Sequence, residues 1–456
     1  MPDYMPHTDE EVASMLAFLD LGSLDELFAA IPAALQLSEG LDLPVGSPEP
    51  DVMAAMEGFA KRNLGAASRL TCFAGVGSYD HEVPPVVKAL AGRGEFVTAY
   101  TPYQPEVAQG ILQAIFEFQT LISRLYGLPI ANASLYDGAA SVTEAINLAV
   151  SSSKKQAVLL STGVHPTWRA VVKTFAKGTG HEIVEAPLVE GRTDLSALKG
   201  ADIGTVVVGH TTYLGTVEDL ASVRASCDEI GAVMVVASDP ILASVLKSPG
   251  SLGADVVVGE GQPLGTALSF GGPYLGLFAC SAEQVRRLPG RLVGETVDVE
   301  GRRAYVTTLR AREQDIRREK ATSNVCSNQT LMAVTAAIQL GWLGTQGLGE
   351  VATRCISSTR HLAESVTAID GVDLLYPGAP MARDAAVVTP IEASTLIERM
   401  AEEGYLAGVA LSAITDEGDG SVDGALRDRA IVMAATERRT ADEVAGFCTA
   451  LAKVVR

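Results

Sequence analysis

"AVMVVASDPILASVLKSPGSLGADVVVGEG", residues 232–261, decides the fold class. Its opening run, "AVMVVAS" (232–238), and the later Val256–Val258 are apolar at consecutive positions rather than at alternate ones. Strands of that kind are buried on both faces, as they are in a parallel sheet covered by helices. Between them Asp239 and Pro240 read as the start of a short helix near 241–247, with an acidic cap and proline at the first helical position. Working outward, the unit recurs. A helix over 139–150 leads to "QAVLLS" (156–161), a helix from Pro166 to Lys177 leads to "TVVVG" (205–209), and a helix over 217–230 leads back to the opening run. The alternation predicts an α/β fold with a mostly parallel central sheet. Ligands in such sheets sit at the carboxyl ends of the strands.

The 456 residues allow more than one domain, and 47% hydrophobic residues supply ample core. A net charge of −20 argues against nucleic acid and against an anionic membrane surface as partners. No apolar run reaches membrane-span length. Cys72, Cys227, Cys280, Cys326, Cys355 and Cys448 are scattered with no C-x-x-C, which predicts reduced thiols. "MPDYMPHTDEEV" does not read as a secretory signal, so a cytoplasmic protein is expected. Thr8 with Glu11, and Ser23 with Glu26, predict two short N-terminal helices with capping boxes. Apolar residues from Val107 to Leu125 at spacings of three and four predict a long helix over 105–126, closed by Gly127 and Pro129. Past residue 330 another helix leads to a smaller unit, with strands "AAVVT" and "AIVMAA" and a last helix capped by Thr440 and Glu443. The expected division is a helical arm and linker over 1–70, a large α/β domain over 71–330, and a C-terminal helix with a small α/β domain over 331–456.

Several motifs admit a functional and a structural reading. "GEGQPLG" (259–265) follows a strand, but Pro263 and the glycines beyond it block the helix that a dinucleotide loop requires, so a tight turn is the alternative. Asp137, Gly138 and Ser141 in "YDGAAS" sit where a helix N-terminus can hold a phosphate. The Asp137 carboxylate is equally an ordinary cap and would repel that anion. Asp239 can face a pyridinium nitrogen or cap the following turn. His165 can stack on an aromatic cofactor or lie exposed in a loop, and the other histidines show no metal-ligand spacing, so no metal is expected. "YTPYQ" places Tyr100, Thr101, Tyr103 and Gln104 before the long helix, either for a small polar substrate or as loop packing. Arg310, Arg312, Arg317, Arg318 and Lys320 form a basic stretch that suits an anionic partner or a solvated helix face.

In order along nearly the whole chain, these segments resemble glycine decarboxylase, the P-protein of the glycine cleavage system, in its N-terminal half or subunit 1. The strings that carry the resemblance include "MPHTDEEVASML", "EFVTAYTPYQPEVAQGILQAIFEFQT", "VHPTWRAVVKT", "LSFGGPYLG", "RLPGRLVGET" and "REQDIRREKATSNVCSNQTL". His210 and Thr211, "DGAASVTEA" and Asp315 depart locally from the family pattern.

The resemblance implies the fold of type I pyridoxal-phosphate enzymes, similar to aspartate aminotransferase. In that order of residues Gln262 stands where the Schiff-base lysine is expected, which makes Asp137, Gly138, Ser141, His165, Asp239 and Gln262 a degenerate cofactor site with no catalytic residue in this chain alone. Pyridoxal phosphate is then expected on the lysine of a partner, subunit 2. Together the two would decarboxylate glycine and pass the aminomethyl group to lipoylated H-protein. Tyr100, Thr101, Tyr103 and Gln104 become substrate-side contacts in the partner's pocket, and Thr322, Ser323 and Asn324 line the interface near its cofactor. Arg317, Arg318 and Lys320 are expected to steer H-protein or to support the interface. Two alternatives remain at this point: an independent pyridoxal-phosphate enzyme using Lys247 or Lys320, and a non-catalytic scaffold for the partner.

Overall fold

The computed structural model describes residues 6–37, 41–63, 70–97, 101–200, 202–326, 328–416 and 418–456. Seven strands form the principal sheet: β1 (Ile130–Ala131), β2 (Ala157–Ser161), β3 (Glu182–Ala186), β4 (Ile203–His210), β5 (Val233–Ser238), β6 (Val256–Glu260) and β7 (Gly276–Cys280). Their order is β1-β7-β6-β5-β4-β2-β3. The pairs from β6 through β3 are parallel, and β7 runs antiparallel to both β6 and β1.

The consecutive apolar residues divide between two cores because side chains alternate across a strand. Leu159, Val206, Val208, Met234, Val236 and Val257 face one layer. That layer is built by α1 (Gln109–Tyr126), α4 (Leu220–Ile230) and α5 (Thr330–Thr367). Val158, Leu160, Val207, Val235, Val256 and Val258 face α2 (Gly138–Ser153) and α3 (Pro166–Thr179). The doubly buried strands are therefore doubly covered.

The predicted helices and strands of this region form with small shifts. The long helix starts at Gln109, after a separate 3-10 turn over Pro105–Val107, and ends at Gly127 in the left-handed conformation (φ 71°). The helix expected near 241–247 is only the turn Leu242–Ser244. The basic stretch is three short turns, Arg310–Arg312, Gln314–Arg317 and Arg318–Lys320, rather than one helix face. Helix α5 is broken at Gly344, whose φ of 61° and ψ of −177° are not helical.

A second sheet pairs β8 (Asp373–Leu374), β9 (Asp384–Val388), β10 (Val409–Ala410) and β11 (Ala430–Ala434), all antiparallel, in the order β8-β9-β11-β10. Helices α6 (Ala393–Glu402) and α7 (Ala441–Val454) pack on it, and α7 begins with the Thr440–Glu443 capping box.

Residues 1–63 form a separate unit. Thr8 and Glu11 make their capping box on helix Asp9–Phe18. Ser23 makes no side-chain cap, because Glu26 turns to the Gly22 N–H instead and the chain forms a 3-10 turn. None of the described residues of this unit is buried. No described helix is long and apolar enough to cross a membrane.

The loop after β4 ties the two sheets together. Gly215 accepts from the Ala382 N–H (3.0 Å) and Pro380 from the Val217 N–H (2.9 Å). The close approach requires glycine at 215: its φ is 88°, and a Cβ there would lie 1.9 Å from the Asp384 carbonyl oxygen. We expect Gly215→Ala to cost at least about 1–3 kcal/mol, the range for a side chain forced into a disfavoured backbone region. A urea midpoint equal to that of the unaltered chain would refute this.

Candidate functional site

The carboxyl ends of β2, β4, β5 and β6 meet at a cavity, where this class of sheet places its ligands. It is lined by Gly77, Tyr79, His165, Trp168, Tyr213, Asp239, Glu260, Pro263 and Arg383, among others. Its volume is about 70 Å³, well under the roughly 300–1,000 Å³ of pockets that take a small ligand.

The cavity is small because side chains of the chain itself reach into it and meet most of its polar groups, the Arg383 Nε being left without a hydrogen-bond partner. Asp239 caps the turn after β5, accepting from the N–H groups of Ile241 (2.8 Å) and Leu242 (3.0 Å). Its other oxygen is ion-paired with Arg383. The Arg383 guanidinium lies over the Tyr79 ring, 3.2 Å from its centroid, and donates to His81 Nε2 at 3.0 Å. Glu260, at the end of β6, accepts from the backbone N–H groups of Gly138 (2.9 Å), Gln262 (2.8 Å) and Leu275 (2.9 Å). Burial pushes this carboxyl up to about 7, against the pull of those three donors. Gly138 is the first residue of α2, so a carboxylate occupies the end of the helix dipole that would hold a phosphate. Asp137 takes the Ala140 N–H at 2.7 Å, and the Ser141 hydroxyl donates back to the Asp137 carbonyl at 2.8 Å. The Trp168 indole covers the same helix end, 2.3 Å from where a Cβ on Gly138 would sit.

Gln262 is 1% exposed. Its Oε1 accepts from the Tyr79 N–H (3.0 Å), and its Nε2 donates to the carbonyls of Tyr79 (3.1 Å) and Thr266 (2.6 Å). His165 caps α3: its Nδ1 accepts from the Thr167 N–H (3.2 Å), while Nε2 donates to the Val76 carbonyl (3.0 Å). These partners fix a neutral ring, stacked on Trp168 with 5.7 Å between centroids, and burial holds it down at about 4.

The residues present therefore do not fit pyridoxal phosphate on this chain. There is no amine at 262, the helix terminus is taken by a carboxylate, and Asp239 already has its cation. Lys247 and Lys320 are exposed, and neither lines the cavity.

His81, Cys355 and Glu437 bring ligand atoms within 4.8 Å of one another. They do not suit a metal ion. Arginine only donates, so His81 Nε2 accepts from Arg383, and the ring proton sits on Nδ1, which points at Glu437 2.7 Å away. Burial lowers the His81 ring and works against the Glu437 anion, yet the hydrogen bond from His81 holds Glu437 down at about 2.

The other sequence candidates lie elsewhere. Tyr100 falls outside the described residues. Thr101 lines an open groove of about 880 Å³ with Arg93, Phe96, Pro102, Val107 and Ile111. Tyr103 is exposed, its ring 4.8 Å from the Arg291 guanidinium carbon, and Gln104 is exposed and caps nothing. Thr322, Ser323 and Asn324 line a third cavity, of about 440 Å³, with Glu144, Asn147, His181 and Arg318. Glu144 hydrogen-bonds Ser323 and Asn147 but is raised to about 7 by burial. Arg317 and Lys320 are exposed. The structure thus gathers His165, Asp239 and Gln262 with the start of α2, and leaves the remaining candidates on separate surfaces. Sequence reasoning missed Tyr79, Trp168, Arg383 and the role of Glu260. The one available signal was the Arg383-Asp384 charge pair at the entry to an otherwise apolar strand.

The architecture is that of fold-type I pyridoxal-phosphate enzymes. It matches a NifS-like protein with a TM-score of 0.63 (13% identity, 85% of this chain and 99% of that one). It matches a sphingosine-1-phosphate lyase of Burkholderia pseudomallei at 0.59 (16% identity, 93% and 94%). Residues 2–375 match the family model of the glycine cleavage system P-protein. The chain is 42% identical to a probable glycine dehydrogenase (decarboxylating) subunit 1 of Chlorobium chlorochromatii and to one of Moorella thermoacetica, over 98% of each chain in both cases. A crystal structure of glycine decarboxylase (P-protein) of the glycine cleavage system, in inhibitor-bound form, superposes with a TM-score of 0.89 at 42% identity, covering 99% of this chain and all of that one. The chain belongs to the glycine cleavage system P-protein family.

Two outcomes follow from the closed cavity. Gln262→Lys leaves the Tyr79 N–H without an acceptor, at a cost of about 1–3 kcal/mol, and borohydride treatment with excess pyridoxal phosphate should leave no adduct at residue 262 by mass spectrometry. A stoichiometric adduct there would show that the lysine alone was missing. For His165 the folded value of about 4 lies below the ordinary 6.5. The unfolded chain therefore binds more protons between those values, and stability is full above the upper one and falls as pH drops toward the lower. The urea midpoint should fall more between pH 7.5 and pH 5 (about neutral and mildly acid on the scale of histidine titration) than it does in His165→Gln. Equal falls would exclude the histidine as a source.

Proposed function

We propose that the chain is subunit 1 of glycine decarboxylase, glycine dehydrogenase (aminomethyl-transferring), and works only with a lysine-bearing subunit 2. The observation that carries this is Gln262. It stands at the end of β6 where the family fold calls for an amine, and every hydrogen-bonding atom of its amide is used by Tyr79 and Thr266. A chain so arranged contributes shape and polar contacts, while the cofactor chemistry is supplied by pyridoxal phosphate on the partner. In the assembled enzyme glycine loses its carboxyl group as CO2, and the aminomethyl group passes to the lipoyl arm of H-protein.

On this reading Tyr100, Thr101, Tyr103 and Gln104 reach the substrate side of the partner's pocket. Thr322, Ser323 and Asn324 lie at the interface near its cofactor, and Arg317, Arg318 and Lys320 face H-protein or support the interface. Support comes from exposure. Tyr103 and Gln104 present a phenol and an amide to solvent, and the basic residues face outward in a chain whose net charge is −20. The three-part division of the chain at residues 70 and 330 and a cytoplasmic location belong to the same proposal.

Co-expression with a lysine-bearing subunit 2 should give a complex on gel filtration and glycine–bicarbonate exchange that neither chain shows alone. Separate species at micromolar concentration would refute the assembly. Within the complex, Tyr103→Phe removes a hydrogen bond to a charged group worth about 1.5–3 kcal/mol. Turnover should then fall roughly ten- to hundredfold if the bond acts in the transition state, with co-elution unchanged. Unaltered turnover would remove Tyr103 from the site.

A further inference from the structure

Arg291 is 5% exposed, yet its Nε and NH1 atoms have no hydrogen-bond partner. Arg312 is in the same position at Nε and NH2. Both side chains are otherwise fixed. Arg312 NH1 donates to the carbonyls of Leu288 and Gly290, the latter at 2.5 Å, and Arg291 NH2 meets Cys326 Sγ at 3.3 Å. The nearest carboxylate is Glu313, 6% exposed. Its Oε2 is 3.9 Å from Arg291 NH1, an ion-pair distance beyond hydrogen bonding, and its Oε1 has no partner. The turn that carries Arg291 is held by Asn132, which donates to the Pro289 carbonyl at 3.0 Å, so the guanidinium cannot swing out to solvent cheaply.

Two guanidinium groups beside one carboxylate leave a positive charge that burial disfavours. Water can fill the empty N–H positions but cannot neutralise that charge. The Tyr103 ring, 4.8 Å from Arg291, compensates only in part. Planar N–H forks suit the oxygens of a phosphate or a carboxylate. Glu313 adds a selection: its free oxygen accepts, so the group that joins it to the arginines must also donate. An oxyanion that keeps a proton does both.

We propose that Arg291, Arg312 and Glu313 form a binding site for a protonated oxyanion of the phosphate class, held by the two guanidinium groups and donating its hydroxyl to Glu313. Tyr103 is 52% exposed, so its ring can shift to admit the anion at little cost. The site adjoins Tyr103, which the proposed function places toward the partner's pocket, but it is tested on the full chain alone, so failure of the anion to bind leaves that reading untouched. The anion is free phosphate, which as hydrogen phosphate keeps a proton at neutral pH; a monoester, with a second pKa of about 6, has largely lost its own.

Titration calorimetry of the full chain with inorganic phosphate, with phenyl phosphate and with sulfate, at matched ionic strength, tests it. Sulfate has no proton to give Glu313 at neutral pH and should bind at least about tenfold more weakly than phosphate, the effect of one missing charged hydrogen bond. Phenyl phosphate, whose second pKa is about 6 and which is largely the protonless dianion at neutral pH, should bind weakly like sulfate. Glu313→Gln, which can donate to sulfate, should narrow or reverse the preference. Absence of heat from inorganic phosphate, equal binding of sulfate or phenyl phosphate by the unaltered chain, or an unchanged preference in Glu313→Gln would overturn the assignment.

Discussion

A guanidinium group taken out of water needs an anion and acceptors fixed around it, and Arg383 imposes that need where the two sheets meet. It precedes β9 in the small sheet and reaches Asp239 at the end of β5 in the large one. The contact over the Tyr79 ring turns the Tyr79 hydroxyl toward Asp384, to which it donates at 2.9 Å, and Asp384 in turn accepts from the Val76 N–H at 3.2 Å. The second arm of the guanidinium sets the tautomer of His81, and through it the ionisation of Glu437. A buried ion pair of this kind is weak evidence for stability, because desolvation offsets much of the attraction. Its effect is on geometry: the ion pair to Asp239 and the hydrogen bond to His81 hold one arrangement of the two sheets, with the Arg383 Nε left unpartnered, and in that arrangement the cavity is nearly filled.

Glu260 closes the other side by the same logic with the sign reversed. A helix N-terminus presents free N–H groups and a partial positive charge, which is why the fold places phosphates there. Here the neighbouring strand supplies the anion covalently, through its own last residue. Ionised, Glu260 excludes a second anion; protonated, it still fills the volume. The carboxylates at the cavity, Asp239 and Glu260, are therefore met within the chain. At and beside the cavity the chain supplies internal partners: Glu260 at the start of α2, Arg383 at Asp239, and Gln262 against the backbone of Tyr79.

Much of the fold was legible because it rests on local signals. Doubly apolar strands announced a covered sheet, and Thr8, Asp137 and Thr440 cap the helices that follow them. Signals failed where a nearby group competed for the same side chain or where the partner was remote in sequence. Ser23-x-x-Glu26 has the pattern of a capping box, but Glu26 turned to Gly22 and the helix did not form. Strand β7 was not assigned from the sequence, because its antiparallel place between β1 and β6 depends on long-range pairing. At the site, positions that cap a turn, such as Asp137 and Asp239, could be named from local pattern. Arg383 could not, because it lies 144 residues from the carboxylate it meets. Periodicity carries no information about such pairs.

The distribution of open volume completes the argument. The cavity at the strand ends holds about 70 Å³, whereas the groove beside Thr101 and the cavity beside Ser323 hold about 880 and 440 Å³. In a chain able to act alone, the large volume would lie at the strand ends, because that is where a fold of parallel strands gathers its loops. Here the volume has moved to surfaces built by the approach to α1 and by the turns before α5, and these carry the exposed polar and basic side chains. A surface groove bounded on one side lacks the enclosure that excludes water and strengthens polar contacts. The closed interior and the open grooves are thus two aspects of one arrangement: side chains of the chain itself nearly fill the strand-end cavity, and the larger open volumes lie on two surfaces that carry polar and basic groups.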